Sequence, residues 1–287
     1  MNCKICNSLS KPAFKKKILA KYDVTFFKCS SCGFLQTEAP YWLEEAYKLP
    51  FTPLDVTIIS RPTMLSQVTE DLIVKHLNFK KKFLDYGGGV GVLTRMMRDR
   101  GLDFYRQDKY AQNLFAQYFD ISDLTNEEKF FELITCFEVL EHLPDPMKEI
   151  SEIFSLGDNV LFSTMLQPSE SVENLESWFY IFEICGQHIS FYTEESMKII
   201  AERFNCYYYP MCGGFLHFFT PNKIEEIDLT KVPVQIPKLS RKIKDKMVKS
   251  IDKVYRVLFE EEVPEAPLPL ASLAERDSNW ILERLEQ

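Results

Sequence analysis

At 287 residues, with 46% apolar and 14% aromatic residues, the chain has the composition of a packed globular protein, which excludes a disordered or fibrous class. A formal net charge of −8 excludes the broad basic field that duplex nucleic acid requires and favours small or neutral substrates. Lys4 and the Lys15-Lys16-Lys17 run bracket no apolar leader, and no later stretch reaches the roughly 18 apolar residues of a membrane span. A cytoplasmic protein without a transmembrane segment is therefore expected.

The first feature along the chain is a pair of Cys-x-x-Cys steps, Cys3/Cys6 and Cys29/Cys32, with 22 residues between them. Such paired knuckles let four thiolates close a tetrahedral zinc site, and because no coordination position stays open, the metal is structural. The surrounding segment carries Lys4, Lys11, Lys15, Lys16, Lys17, Lys21 and Lys28 and is too short to fold on a core of its own, so zinc would supply most of its folding energy. Cys136, Cys185, Cys206 and Cys212 lie scattered among apolar neighbours and read as small buried hydrophobes.

Residues 37–50 hold a short helix between prolines and read as a connector. Leu65, Val68, Leu72, Ile73 and Leu77 then mark an amphipathic helix over 62–77. From Phe83 the texture alternates between strands and helices. "KFLDY" is a strand, 92–100 a helix, "DFYRQD" and "FFELITCF" strands, and 146–154 a helix capped by Asp145 with Pro146 in its first position. "NVLFST" is a further strand, 194–204 a helix capped by Thr193, and "NCYYY" and "FLHFFT" two late strands. This alternation specifies a parallel α/β sheet covered on both faces.

Beyond Pro221, prolines punctuate charged segments, and Ile243, Met247, Ile251, Val254, Tyr255 and Leu258 form an apolar stripe on a lysine-rich helix. Docking on the body or on a second copy is expected, rather than lying on a membrane surface. The chain thus divides into 1–37, a four-cysteine zinc ribbon; 38–80, connector and entry helices; 81–220, the α/β domain; and 221–287, a helical extension.

In "FLDYGGGVG", Asp85 stands near a strand end and glycines at 87, 88, 89 and 91 let the chain turn into a helix close to a ligand. Asp108 ends the next strand, where an acid can take both ribose hydroxyls of an adenosine. The G-x-G-x-x-G spacing of dehydrogenases is absent. Gly87-x-Gly89-x-Gly91, with an acid two positions before the first glycine, resembles motif I of class I S-adenosylmethionine-dependent methyltransferases, and "FFELITCFEVLEHLPDP" resembles that family's fourth strand and following turn. Over about residues 77–220 the resemblance implies a Rossmann-like, seven-stranded, mostly parallel methyltransferase sheet. It also implies S-adenosylmethionine contacts from Asp85, Tyr86, Gly87, Gly89, Gly91, Asp108 and Phe137. The knuckles, "GFLQTEAPYWLEEAY" and "GQHISFYT" further resemble zinc-ribbon methyltransferases associated with bacterial sugar and surface-polysaccharide biosynthesis.

Methyl transfer from a sulfonium needs an acceptor aligned in line and relieved of its proton. Glu138, Glu141 and His142, spaced i, i+3 and i+4, would share one face if helical. With His188 they could hold a second divalent cation that acidifies a sugar hydroxyl, an arrangement similar to the metal site of small-RNA 2′-O-methyltransferases and ubiquinone-pathway O-methyltransferases. Alternatively His188 alone is the general base. The latter position resembles the Glu-His pair of deoxysugar C-methyltransferases, although Gln187 stands where those have glutamate. Trp178, Phe179 and Tyr180 either face a sugar ring or pack the core. The function expected is sugar O-methylation on a nucleotide sugar or glycan. The alternatives are sugar C-methylation and a noncatalytic cofactor-binding partner protein.

Overall fold

The computed structural model describes residues 1–48, 57–168, 172–225 and 227. The apolar stripe over 243–258, and any homodimer contact it makes, lie outside the described residues. In chain order the elements are β1 (Ser10–Ile18), β2 (Tyr22–Cys29), β3 (Leu35–Thr37), α1 (Leu43–Ala46), α2 (Ser60–His76), β4 (Lys82–Tyr86), α3 (Val92–Asp99) and β5 (Asp103–Gln107). They continue with β6 (Leu133–Phe137), α4 (Pro146–Phe154), β7 (Val160–Ser163), α5 (Val172–Glu176), β8 (Ser190–Phe191), α6 (Glu194–Arg203), β9 (Tyr207–Met211) and β10 (Leu216–Thr220).

The local signals act as chemistry requires. Asp145 accepts a bond from the Lys148 N–H and Pro146 opens α4, while the Thr193 hydroxyl accepts from the Ser196 N–H at the start of α6. Strand β7 is buried along its whole length and β4 and β6 at all but one position each, the pattern of central strands covered on both faces.

The larger sheet runs in the order β5-β4-β6-β7-β10-β9. Strand β4 pairs parallel with β5 and β6, whereas β10 is antiparallel to both β7 and β9. Among the described residues the sheet has six strands, not the expected seven. Beyond β5 there is only an isolated parallel bridge between Arg106 and Asp120. The chain leaves the sheet there at once, because Asp120 and Asp123 cap each other's backbone around the 3₁₀ turn Ile121–Asp123.

The smaller sheet has the order β1-β2-β3-β8, all antiparallel. Its outermost strand comes from residues 190–191, far along the chain from the cysteine knuckles. Among the described residues two compact units result, residues 1–48 with 136–168 and 172–224, and residues 57–135. The first is assembled from separated pieces, so its boundaries differ from the contiguous segments read from the sequence.

Within the first unit, Ile18, Val24, Phe26, Trp42, Trp178, Tyr180 and Phe191 share one buried core. The loop before β8 is fastened to that sheet. Leu19 N–H donates to Glu183 O at 2.9 Å, Trp42 Nε1–H to Gly186 O at 2.8 Å and Gln187 Nε2–H to Ala46 O at 2.9 Å. Gly186 has φ 65°, and a Cβ there would sit 2.7 Å from Ile18 Cγ2. Gly186→Ala is therefore expected to destabilise the protein by about 1–3 kcal/mol, from overpacking and left-handed strain together. A lowered urea midpoint at unchanged slope will register this, and an unshifted midpoint would refute the tight fit.

Candidate functional site

The glycine loop lies in the second unit, between β4 and α3. Its backbone is held from two sides. The Gly89 N–H donates to Asp108 Oδ2 at 2.9 Å, and the guanidinium of the buried Arg106 donates to Gly89 O. Arg106 also donates to Ala111 O at 3.0 Å and to Asp120 Oδ1 at 2.6 Å, which ties the loop to the turn after β5. A Cβ on Gly88 would lie 2.5 Å from Asp85 Oδ2, so only glycine allows the chain to pass over that carboxyl.

Asp108 accepts from the N–H groups of Tyr110 at 2.8 Å and Ala111 at 2.7 Å as well as Gly89. Of a carboxylate's roughly four acceptor directions, one is left for a ribose hydroxyl. Tyr86 closes β4 and is buried; Phe137 closes β6 and is half-buried. The loop with its positive-φ glycines 87, 89 and 91 is thus joined to the acid at 108 through the Gly89 N–H.

Asp85 lies under this loop, only 2% exposed, with Thr94 Oγ1 donating to Oδ2 and Thr135 Oγ1 to Oδ1, both at 3.1 Å. Burial pushes its carboxyl up to about 6 despite those two bonds, which favour the ionised form. A raised acid holds its proton longer in the folded state, so its contribution to stability is full below the ordinary carboxylate range and lost as pH rises through about 6. A shift of that size corresponds to roughly 3 kcal/mol. Relative to Asp85→Asn, the natural protein is expected to lose up to that much stability between about pH 4 and pH 7. Denaturant titrations of both proteins across this range measure it; a constant difference between them would refute it.

In the first unit Cys3, Cys6, Cys29 and Cys32 gather with all four sulfurs within 4.8 Å of one another. Cys3 Sγ lies 3.6 Å from Cys32 Sγ and Cys6 Sγ 3.4 Å from Cys29 Sγ. Four Zn–S bonds of about 2.3 Å in a tetrahedron would put sulfurs roughly 3.8 Å apart, close to this spacing. The N–H groups of Ile5 and Ser31 point at Cys3 and Cys29 sulfur, each at 3.4 Å, as in metal-bound knuckles. The Cys3 thiol is drawn down to about 5 by the bond from Cys32, whose own thiol is pushed up by giving it. A cation that takes all four as thiolates removes that conflict.

The same unit holds a second cluster, Glu141, His142 and His188, whose ligand atoms also lie within 4.8 Å of one another. His142 Nδ1 is 3.2 Å from Gln187 O and His188 Nδ1 is 2.6 Å from Tyr180 O. A carbonyl only accepts, so each Nδ1 carries the proton. Glu141 is fully buried; its Oε1 accepts from Tyr180 O–H at 2.7 Å, and among the described residues its Oε2 has no partner. Burial pushes the Tyr180 phenol well above its ordinary value, which keeps it a donor.

Glu138 does not join them. Only Leu140–His142 is helical, as a 3₁₀ turn, and Glu138 lies outside it with φ 54°, so the expected shared face of one α-helical turn does not form. Its N–H donates to Ser163 Oγ at 2.8 Å while the Ser163 hydroxyl donates to its Oε1 at 2.7 Å. Trp178 and Tyr180 are core residues, whereas Phe179 is exposed. The sequence reading missed Arg106 and the paired contacts of Tyr180. An arginine at a strand position in phase with the apolar Phe104, two residues before Asp108, was the available signal for the first; no local signal marks the second.

Residues 61–210 match the profile of a family described as a methyltransferase domain. Curated relatives include the ubiquinone biosynthesis O-methyltransferase of Acinetobacter baumannii strain AYE, 29% identical over 125 residues that cover 37% of this chain and 49% of the relative. The protein of the same name from Vibrio vulnificus strain YJ016 is 32% identical over 142 residues, covering 43% and 54% respectively. The chain spans about half the length of the curated relatives it matches. An O-methyltransferase family protein from Burkholderia thailandensis overlaps 56% of each chain at 12% identity with a TM-score of 0.41, too low to carry a site across.

Proposed function

Because the chain belongs to the methyltransferase-domain family, whose profile covers more than half of it, we propose that it transfers a methyl group from S-adenosylmethionine to a hydroxyl of a sugar. The sugar would be carried by a nucleotide or a glycan. One observation carries the acceptor half of this reading: Glu141, His142 and His188 bring one ligand atom each to within 4.8 Å of one another, and the buried Glu141 Oε2 has no partner among the described residues.

The donor set fits a divalent first-row cation better than magnesium or calcium, which favour oxygen alone. Glu141 Oε2 supplies an orphaned buried acceptor, and the two histidines already give their other ring N–H to backbone carbonyls, the usual second shell of a metal-bound imidazole. Such a cation, when bound, lowers the pKa of a coordinated hydroxyl. Without one, His188 would serve alone as the general base.

S-adenosylmethionine, when bound, supplies an electrophilic methyl group. The glycine loop at residues 87–91 and the remaining acceptor capacity of Asp108 would hold it, with Arg106 fixing the loop through Gly89 O. Zinc on Cys3, Cys6, Cys29 and Cys32 would be structural.

Oxygen rather than carbon is the preferred acceptor atom. Relatives that the chain matches are named O-methyltransferases, and Gln187, which stands where the Glu-His pair of deoxysugar C-methyltransferases has its glutamate, is occupied as a donor to Ala46 O. The sugar class rests on the likeness of the knuckles and of residues 186–193 to polysaccharide-associated enzymes.

The test is product analysis with methyl-labelled donor, the full chain and a panel of nucleotide sugars. Label recovered on a sugar oxygen is the expected outcome. Label on carbon would favour the alternative in which His188 works as a carbanion-forming base. Label accepted only by catechols or quinols would overturn the sugar assignment, and transfer to no acceptor would leave a cofactor-binding partner protein.

A further inference from the structure

We infer that Tyr180 is the positioning residue of the acceptor site, holding Glu141 through its hydroxyl and His188 through its main-chain carbonyl so that both donors are aimed before a cation arrives. This rests on the proposed cation site.

Tyr180 is 7% exposed and is the middle residue of a short 3₁₀ turn, Phe179–Ile181, inside the core of the small sheet. Its ring lies 5.2 Å from that of Trp178 and 4.7 Å from that of His188, so it is packed on both. The hydroxyl donates to Glu141 Oε1 at 2.7 Å and accepts from Thr164 Oγ1 at 3.2 Å. Thr164 is itself held, because its carbonyl accepts from His217 Nε2 at 3.0 Å. Burial lowers His217 to about 4, which keeps the ring neutral, and Tyr208 O–H satisfies its Nδ1 at 2.9 Å. A buried polar chain thus runs from Tyr208 through His217, Thr164 and Tyr180 to Glu141.

Without the hydroxyl, both Glu141 oxygens would lack a partner among the described residues, and the carboxylate would lose the bond that directs Oε2 away from Tyr180. The carbonyl contact to His188 would survive any side-chain change. Loss of the hydroxyl alone therefore separates positioning from packing. Tyr180→Phe keeps the ring and the core, and a purely structural tyrosine would leave cation affinity unchanged.

The experiment titrates Mn²⁺ into the zinc-loaded full chain and reads free ion by electron paramagnetic resonance, because manganese does not displace zinc from thiolates readily. The natural protein is expected to bind an ion that His188→Ala does not. Tyr180→Phe is expected to bind it about 10–100-fold more weakly, with S-adenosylhomocysteine affinity unchanged. Equal affinity in Tyr180→Phe would overturn the inference while leaving the cation site intact. Absence of Mn²⁺ binding in the natural protein would remove the cation site and the inference with it. Should Tyr180→Phe fail to fold, Thr164→Val takes only the bond that orients the hydroxyl; roughly 3-fold weaker binding is then expected, and affinity equal to the natural protein overturns the inference.

Discussion

Replacing His188 with alanine is expected to slow methyl transfer by about 10²–10⁴-fold while the protein stays folded and binds S-adenosylhomocysteine as before. The size follows from what the ring offers. Its Nδ1–H is committed to the Tyr180 carbonyl at 2.6 Å, so the Nε2 lone pair stands in one orientation beside the buried Glu141 and the ring of His142, whose centroid is 4.9 Å away. As a ligand it would be one of three donors; as a base it would be the proton acceptor itself. Either role ends with the ring's removal. Chelation separates them: activity that survives exhaustive chelation, with His188→Ala inactive, assigns the base role alone. A variant that works at the natural rate would remove His188 from the reaction.

The second large effect is structural and lies at the knuckles. Cys3→Ser combined with Cys29→Ser takes one sulfur from each close pair and is expected to abolish metal binding and unfold the small sheet. Structural zinc in comparable small modules is worth about 10–16 kcal/mol, more than a single core truncation costs. The consequence reaches the acceptor cluster. Strand β3 pairs with β8, Trp42 holds Gly186, and Leu19 N–H holds Glu183 O, so the loop that carries His188 depends on the sheet that the metal staples. Zinc content measured by atomic emission should fall from near one ion per chain to none, with a lowered unfolding temperature and loss of transfer. A metal-free double variant with unchanged unfolding would refute the staple.

Much of the architecture was legible because its signals are local. The Asp145 and Thr193 caps, the apolar runs of β4, β6 and β7, and the cysteine spacing each act within a few residues. Pairing over long sequence separation was not legible. Two residues, Ser190 and Phe191, complete the small sheet, and nothing in their own sequence specifies β3 as their partner. Among the described residues a seventh strand is lacking for a local reason, since the mutual capping of Asp120 and Asp123 competes with strand extension beyond the bridge to Arg106.

In the acceptor site the residue types were legible and their geometry was not. Helical spacing placed Glu138 beside Glu141 and His142, but a left-handed backbone at a glutamate carries no sequence signature. That conformation sends Glu138 to Ser163 instead. His188 was identifiable as a lone histidine in a polar loop; its tautomer became readable only once the Tyr180 carbonyl was located.

The most direct measurement is isothermal calorimetry of S-adenosylhomocysteine against the pure, zinc-loaded full chain, alongside Asp108→Ala. Saturable heat for the natural protein, strongly weakened in the variant, is the expected result. Folded protein that gives no heat would contradict the adenosyl cradle at residues 85–91, and methyl transfer would fall with it.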